Sequence, residues 1–400
     1  MQRLVVGWLV AAVLLAACAP TAGTGSGGQG AGAARPAVAA AGAAGSAGEA
    51  PVGAPATVPG ASAGAAPAEA ATYRQAVIDG ARAEGMAHIL LSSIWTDEAL
   101  RLVEDGVERE YGVRLKIERT PSTNYPMHAA QLMSELEANA TPSYDLHQSS
   151  DSSSSLLLQA DALEPWNWAA IVPAGTPPEV VQGDNRLGAT YTAYQGLWYD
   201  PAVVPESEAP RSLRDFANPK WRGKIMLAAY PDQYVPYVLK WGRDEALATL
   251  RAVMANGTLA GTYFDIGNRF GAKEIAMGTV SSIIFSSMRQ RGMPGEFTLY
   301  DFAIDSAHHV SVPRKAAHPN AAKLIAAVLV GPEGQRIAAE YIGAGNRYYS
   351  GSSEARLGEK AKAMGLPAFS WWTEPGAMDY LASPTGDVVR REINTILQGG

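Results

Sequence analysis

Alternation of apolar, strand-like segments with amphipathic, helix-like segments constrains the fold more than any other feature of the sequence. The predicted elements over residues 88–160 are, in order, strand His88 to Ile94, a helix after Thr96, strand Val113 to Glu118, helix Pro126 to Ala138, strand Tyr144 to His147 and helix Asp151 to Ala160. Repeated strand–helix units imply a mostly parallel sheet with right-handed crossovers. We therefore expect an α/β fold.

Polar and aromatic side chains follow each predicted strand, which is where ligands bind in such sheets. The residues that this rule brings to one edge are Ser93, Trp95, Thr120, Ser122, Tyr125, Ser149 and Asp151 to Ser154. Ser152 and Ser153 lie at a predicted helix start, where free N–H groups and the helix dipole favour an anion. We select Trp95, Ser122, Tyr125, Ser152 and Ser153 as candidate ligand contacts. The alternative is a capped helix start with solvated serines.

The first 18 residues have the pattern of an export signal. Arg3 precedes an apolar run from Leu4 to Ala17 that is too short to span a bilayer comfortably. Leu15-Ala16-Ala17-Cys18 resembles the bacterial lipobox, in which the cysteine is diacylated and becomes the new N-terminus. We expect lipidation of Cys18, with the exported protein anchored to the cell membrane and facing the periplasm or cell exterior. The alternative is an ordinary signal peptide.

Residues 19–72 consist almost entirely of Ala, Gly, Pro, Ser and Thr, so they bury too little apolar surface to fold and predict a disordered linker. About 330 residues remain, enough for two α/β domains with separate cores. The formal net charge of −7 argues against nucleic acid as a partner.

Two blocks of sequence in the second half carry a resemblance. The first is a strand, Tyr191 to Tyr199, followed by a Pro-containing gap, Ser212-Leu213-Arg214-Asp215-Phe216 and Pro219-Lys220-Trp221-Arg222-Gly223-Lys224-Ile225. The second is HPNAAKLIAAVLVGPEGQ, residues 318–335. Together with the lipobox, they resemble type II periplasmic solute-binding proteins, the capture subunits of ABC importers. The ferric-ion-binding branch, family 1, is the most similar.

The resemblance implies two lobes around a cleft, joined by two hinge crossings at Tyr191–Tyr199 and Phe297–Ile304. It further implies a small-molecule solute, an ABC permease as partner, no cofactor and no catalysis, and we expect a monomer. The expected domains are a signal peptide at 1–18, a linker at 19–72, a first lobe at 73–189 plus 305–345, a second lobe at 190–304 and a C-terminal helical segment at 346–400.

The predicted cleft chemistry favours a small anionic organic solute, a carboxylate or a phosphorylated compound. Tyr194 and Tyr230 would cover the solute. Arg269, at the start of a helix predicted over Gly267 to Met277, would clamp its charge. Ser286 would follow the inner strand of the second lobe, which is predicted over Val280 to Phe285. The ferric branch has paired tyrosines after that strand, where this chain has Ile283 to Ser287, and a histidine where this chain has Trp95. We therefore expect no metal site.

Two other functions remain open at this stage. One is binding of ferric iron or an iron chelate for an ABC importer, because other tyrosines could substitute for the missing pair. The other is a surface enzyme or adhesion module on the same scaffold.

Overall fold

The computed structural model describes residues 67–122 and 124–399. The predicted signal peptide, Cys18 and the linker up to residue 66 lie outside the described residues. The linker prediction differs from the structure at its end, because residues 67–72 belong to the first helix, which begins at Pro67. Proline is favourable in the first turn of a helix, where its missing N–H removes no bond. Val77, Ile78 and Ala81 bury one face of this helix.

The strands are β1 (Met86–Ser92), β2 (Lys116–Ser122), β3 (Leu146–Ser150), β4 (Val181–Gln182), β5 (Leu187–Tyr199), β6 (Ile225–Ala228), β7 (Leu259–Gly261), β8 (Met277–Ser281), β9 (Glu296–Thr298), β10 (Ala303–Ser311) and β11 (Ala368–Ser370). The helices are α1 (Pro67–Glu84), α2 (Asp97–Tyr111), α3 (Tyr125–Glu137), α4 (Asp151–Gln159), α5 (Trp168–Ile171), α6 (Val235–Trp241), α7 (Arg243–Ala255), α8 (Tyr263–Gly271), α9 (Ser282–Gln290), α10 (Pro319–Val330), α11 (Pro332–Ile337), α12 (Ser353–Ala363), α13 (Ala377–Leu381) and α14 (Pro384–Leu397). Between residues 67 and 399, no described helix is both long and apolar enough to cross a membrane.

The strands form one sheet in the order β2-β1-β3-β10-β5-β8-β6-β7, with β4 and β9 paired to β5 and β11 paired to β10. Strands β2, β1 and β3 are parallel to one another, as are β7, β6 and β8. Between these two sets, β10 runs antiparallel to β3 and β5, and β5 runs antiparallel to β8. The sheet therefore has two parallel halves joined by antiparallel central strands.

Strand β5 belongs to both halves. Its first part pairs with β10 as far as Tyr194, and its second part pairs with β8 from Gln195 onward. The chain crosses back to the first half between β9 and β10. β9 pairs with the end of β5, and Asp301, between the two strands, has a left-handed backbone conformation. The return was predicted as one segment, Phe297–Ile304, and the structure divides it between these two strands.

The C-terminal segment, residues 366–399, touches both halves. β11 extends the sheet beside β10, while Trp371, Leu381 and Ile393 pack into the hydrophobic core of the second half. From the first half, the Ser155 hydroxyl on α4 donates to the Met378 carbonyl at 2.6 Å.

Two predicted boundaries in the second half are wrong. A helix was expected over Gly267 to Met277, but α8 begins at Tyr263, because Thr262 and Asp265 form a reciprocal capping box there. A strand was expected over Val280 to Phe285, but β8 ends at Ser281, whose hydroxyl caps α9 by accepting from the Ile284 N–H. Local capping thus overrides the apolar run after residue 281.

Candidate functional site

The carboxyl ends of both sets of parallel strands surround a cavity of about 550 Å³. From the first half it is lined by residues at the end of each strand and just beyond it, namely Ser92, Ser93 and Ile94 at β1, Ser122, Asn124, Tyr125 and Pro126 at β2, and Ser150, Asp151 and Ser152 at β3. From the second half it is lined by Tyr230, Asp232 and Gln233 after β6, by Tyr263 and Phe264 after β7, by Ser281 at the end of β8, and by Ile283 and Ile284 after it. This volume suits a small organic molecule.

The central strands and the C-terminal segment complete the wall. The residues that they contribute are Tyr191, Ala193 and Gln195 from β5, Ile304, Ser306, Ala307 and His308 from β10, and Trp371 and Leu381 from the C-terminal segment. A bound solute would therefore touch both halves of the sheet and the strands that join them.

Aromatic rings contact one another on both sides of the cavity. His308 lies between Tyr125 and Tyr191, with ring centroids 5.4 and 4.6 Å away. On the opposite side, the rings of Tyr230 and Tyr263 are 4.7 Å apart. Burial lowers the pKa of His308 to about 4, so this imidazole is neutral at pH 7.

The formal charges in the cavity wall are negative. Asp151 and Asp232 are its carboxylates, and its described residues include no lysine or arginine. Asp151 is buried, and its oxygens accept from the Ala307 N–H at 2.9 Å and the Trp372 Nε1–H at 2.7 Å. Burial raises the pKa of Asp151 to about 8, while these two donors act in the opposite direction. The oxygens of Asp151 are thus occupied by protein donors.

The start of α4 lacks a side-chain cap. The Ser150 hydroxyl accepts no capping bond and instead lies 3.3 Å from the Ser152 hydroxyl. By contrast, Asn124 caps α3 and Thr262 caps α8. The first N–H groups of a helix have no intrahelical partner, so the start of α4 can donate to a ligand group with accepting oxygens.

Four of the candidate residues from the sequence line the cavity, namely Ser122, Tyr125, Ser152 and Tyr230. The structure places Trp95, Ser153 and Tyr194 elsewhere, in buried positions. Trp95 belongs to the hydrophobic core of the first half and is 1% exposed. Tyr194 packs into a second-half core, where its hydroxyl lies against Gly358.

Arg269 and Ser286 lie outside the cavity, because the predicted element boundaries around them are wrong. Arg269 is in the last turn of α8 instead of at a helix start, and it forms an exposed ion pair with Glu274 at 2.9 Å. Ser286 lies within α9, one and a half turns past the strand end, and lines a separate, smaller cavity with Arg356 and Lys360. Neither geometry supports the expected contact with an anionic solute in the main cavity.

Several lining residues were missed by sequence reasoning, namely Asp232, Tyr263, Phe264, Trp371 and Leu381. The capping box at Thr262 and Asp265 was a usable signal for Tyr263 and Phe264, since it fixes the helix start just after β7. Trp371 and Leu381 have no comparable local signal, because their positions depend on how the C-terminal segment packs across the sheet.

Metal ligands of the usual kinds do not converge in the described part of the chain. Among residues 67–122 and 124–399, no group of three or more His, Cys, Asp or Glu side chains is arranged to hold a metal ion. His308 and His309 follow one another in β10, and only His308 reaches the cavity. His309 is buried and contacts Gln182 and Ser154 instead.

Comparison with known families identifies the class of protein. Residues 106–347 match the family described as bacterial extracellular solute-binding protein. Because this match covers more than half of the chain, the protein belongs to that family. The resemblance drawn from the sequence is confirmed. A search of curated proteins found no significant match to the chain.

Solved structures show the same fold. The substrate-binding protein of an ABC transporter from Agrobacterium tumefaciens superimposes with a TM-score of 0.63 at 14% identity, covering 78% of this chain and 94% of that chain. The IdiA (FutA) protein of Trichodesmium, in complex with iron and citrate, gives 0.59 at 14% identity over 78% and 99%. AgtB of A. tumefaciens R10, in complex with agropinic acid, gives 0.55 at 16% identity over 78% and 99%. The expected two-lobed periplasmic-binding-protein fold is confirmed.

Proposed function

We propose that this protein is the substrate-binding subunit of an ABC importer, which captures a small organic solute in the cavity and delivers it to the permease. The observation that carries the proposal is the cavity of about 550 Å³ between the strand ends of both sheet halves. Family membership supports the same reading. We propose that the two lobes are 73–189 plus 305–345 and 190–304, and that residues 346–400 pack on both of them.

Ligand-dependent closure follows from this geometry. The two halves are joined through β5 and through the return from β9 to β10. A solute that contacts both halves binds more tightly when they approach one another, and this differential affinity favours the closed state. The permease would then recognise the closed form.

For the solute itself, we propose an organic compound with at least one anionic group, a carboxylate or phosphate. The uncapped start of α4, with the hydroxyls of Ser122 and Ser152 in the same wall, supports binding of an anionic group. AgtB, which shares the fold, has been solved with agropinic acid. Since Arg269 lies outside the cavity, the anion would be held by N–H and O–H donors alone.

Ferric iron, or an iron chelate, is the second candidate, favoured by Tyr125 and Tyr191 on either side of His308. Two observations weigh against it. The positions after β8 that face the cavity are Ile283 and Ile284, whose hydrocarbon side chains bind no metal. Burial also raises the pKa values of Tyr125 and Tyr191, so bound iron would have to displace tightly held protons.

A catalytic function has less support than binding. Among the described residues, Ser154 approaches a histidine nitrogen, with its Oγ 3.3 Å from His309 Nδ1. Both residues are buried outside the cavity, so a substrate has no access to this pair. We therefore propose a binding protein without turnover. We also propose that it is exported, is anchored through lipidated Cys18 and acts as a monomer.

Native mass spectrometry of the purified protein tests the proposal. We expect an adduct with the mass of a small organic molecule, released on denaturation. Titration with ferric citrate separates the second candidate, because tyrosinate bound to iron gives a visible charge-transfer band. Stoichiometric appearance of that band, with no response to organic anions, would overturn the organic-solute proposal in favour of iron.

A further inference from the structure

The second-half wall of the cavity differs chemically from the first. The first half contributes mainly hydroxyls and the uncapped start of α4, whereas the second half contributes Asp232 among three aromatic rings, Tyr230, Tyr263 and Phe264. This combination is suited to a positively charged group, because the faces of aromatic rings and a carboxylate both attract a cation.

Within the described residues, the Asp232 carboxylate has a long ion pair, with Arg390, as its charged contact. Its Oδ1 is buried without a hydrogen-bond partner among the described residues. The neighbouring cation is Arg390, whose Nε lies 3.7 Å away, beyond hydrogen-bonding distance. Arg390 is instead committed to the Leu381 carbonyl at 2.6 Å and to the Asp387 carboxylate. The Asp232 side chain is nevertheless 41% exposed, so a ligand cation can approach the carboxylate from the cavity although Oδ1 itself is buried.

Two of the three aromatic side chains in this wall are open to solvent. Phe264 is 58% exposed and Tyr230 is 38% exposed, although both line a cavity. The Tyr263 hydroxyl is held by Gln233, which fixes the ring next to that of Tyr230. Exposed large aromatics that are grouped in a concave site indicate a binding surface.

We propose that the second-half wall binds an ammonium group of the solute, with Asp232 as the counter-charge and Tyr230, Tyr263 and Phe264 as the enclosing rings. The inference rests on the proposed capture function and extends it. Together with an anionic group at the start of α4, it makes the solute a zwitterion whose positive end faces the second half. The described wall includes no lysine or arginine, and Arg390, which is ion-paired with Asp232, lies outside it.

Two pairs of probes with matched shape test the charge preference by isothermal titration calorimetry. In 3,3-dimethylbutan-1-ol, a neutral carbon replaces the positively charged nitrogen of choline. The same replacement relates 3,3-dimethylbutanoate to betaine. We expect each ammonium compound to bind at least about tenfold more tightly than its carbon analogue. Equal affinities within both pairs, or no binding of either ammonium compound, would overturn the inference.

Substitutions test whether the second-half wall is responsible for the preference for ammonium compounds. Asp232→Asn keeps the shape of the side chain and should reduce the difference within each pair to less than about threefold, whereas Asp244→Asn, at a 95% exposed side chain outside the cavity, should leave it unchanged. Tyr230→Leu should weaken ammonium binding and Tyr230→Phe should preserve it, which gives a second test if the Asp232 variant does not fold. An unchanged preference in both Asp232→Asn and Tyr230→Leu contradicts the assignment.

The outcomes also separate this inference from the capture function. If 3,3-dimethylbutanoate or another organic anion binds in the cavity and the ammonium compounds do not, the result supports the proposed capture function and contradicts the proposed ammonium site. If the protein carries no native ligand and binds no compound of either charge, the capture function falls as well.

Discussion

The Nε1–H of Trp372 donates to Oδ1 of Asp151 at 2.7 Å, joining the C-terminal segment to the first residue of α4. Trp371, the preceding residue, lines the cavity. The C-terminal segment is therefore part of the cavity wall, and its contact with α4 fixes the helix start that we propose as the anion site.

The two residues joined by this hydrogen bond, Trp372 and Asp151, should be energetically coupled. Trp372→Phe removes the donor and leaves a buried carboxyl oxygen unsatisfied, so we expect a loss of about 1–3 kcal/mol in the free energy of unfolding. Urea unfolding of Trp372→Phe, Asp151→Asn and the double variant gives the coupling directly. Additive effects of the two substitutions would show that the contact contributes nothing.

Acid should destabilise the fold through His147. This side chain is buried with neither ring nitrogen hydrogen-bonded, and burial lowers its pKa to about 4. The contribution of neutral His147 to the free energy of unfolding is complete above pH 6.5. It is lost as the pH falls toward 4, because the unfolded state binds the proton more tightly than the folded state does. At pH 5 this one group should cost about 2 kcal/mol relative to pH 8.

The comparison of wild type with His147→Gln isolates that contribution. This comparison is needed because two buried carboxyl groups have the opposite effect on stability. Burial raises the pKa of Asp151 to about 8 and that of Asp305 to about 7, so their protonation favours the folded state as the pH falls. Chemical denaturation of both proteins at pH 5 and pH 8 should show a smaller acid loss in His147→Gln. Equal losses would place the acid sensitivity elsewhere.

The adjacent residues Ser152 and Ser153 should behave differently when each is changed to alanine. Ser152 lines the cavity, so Ser152→Ala should weaken binding of an anionic solute about tenfold to a hundredfold, the value of one hydrogen bond to a charged group. Ser153 is 1% exposed and outside the cavity, so Ser153→Ala should leave affinity unchanged. Calorimetric titration with the identified solute compares them, and equal effects would place the anion elsewhere.

Removing Arg269 should not affect solute affinity. The sequence suggested a charge clamp, but the structure pairs this side chain with Glu274 on the surface. We expect Arg269→Ala to bind the solute as tightly as the wild-type protein in the same titration. A large loss of affinity in this variant would mean that the closed state brings Arg269 to the ligand.

Lipidation of Cys18 is predicted from the sequence alone. The cysteine follows Leu15-Ala16-Ala17 at the end of the export segment. Metabolic labelling with a fatty-acid analogue should mark the wild-type protein and retain it in the membrane fraction. Cys18→Ala should lose both properties, and equal labelling of the variant would refute the lipid anchor.

The sequence predicted the fold well wherever periodicity and local capping agree. Helix α2 begins after Thr96 as expected, because the Thr96 hydroxyl accepts from the Ala99 N–H. Prediction failed where an apolar run crosses an element boundary, as at β8 and α9, since hydrophobicity does not distinguish a strand from a buried helix turn.

The candidate site was predicted less completely than the fold. Strand ends indicated one edge correctly, which brought Ser122 and Tyr125 into the cavity wall. The burial of Trp95 and the packing of Trp371 depend on contacts between segments distant in the sequence. Those contacts carry no signal in any one stretch of residues.

Calorimetric titration of the co-purified solute, once identified by native mass spectrometry, tests the central claim most directly. The wild-type protein and Ile284→Trp, which adds bulk to a residue of the cavity wall, should be compared after confirming that both fold. We predict one solute bound per wild-type chain and a loss of binding of at least about tenfold in Ile284→Trp, as expected when a solute is excluded from its pocket. Equal affinity in the two proteins would show that the solute binds outside this cavity, which would contradict our account.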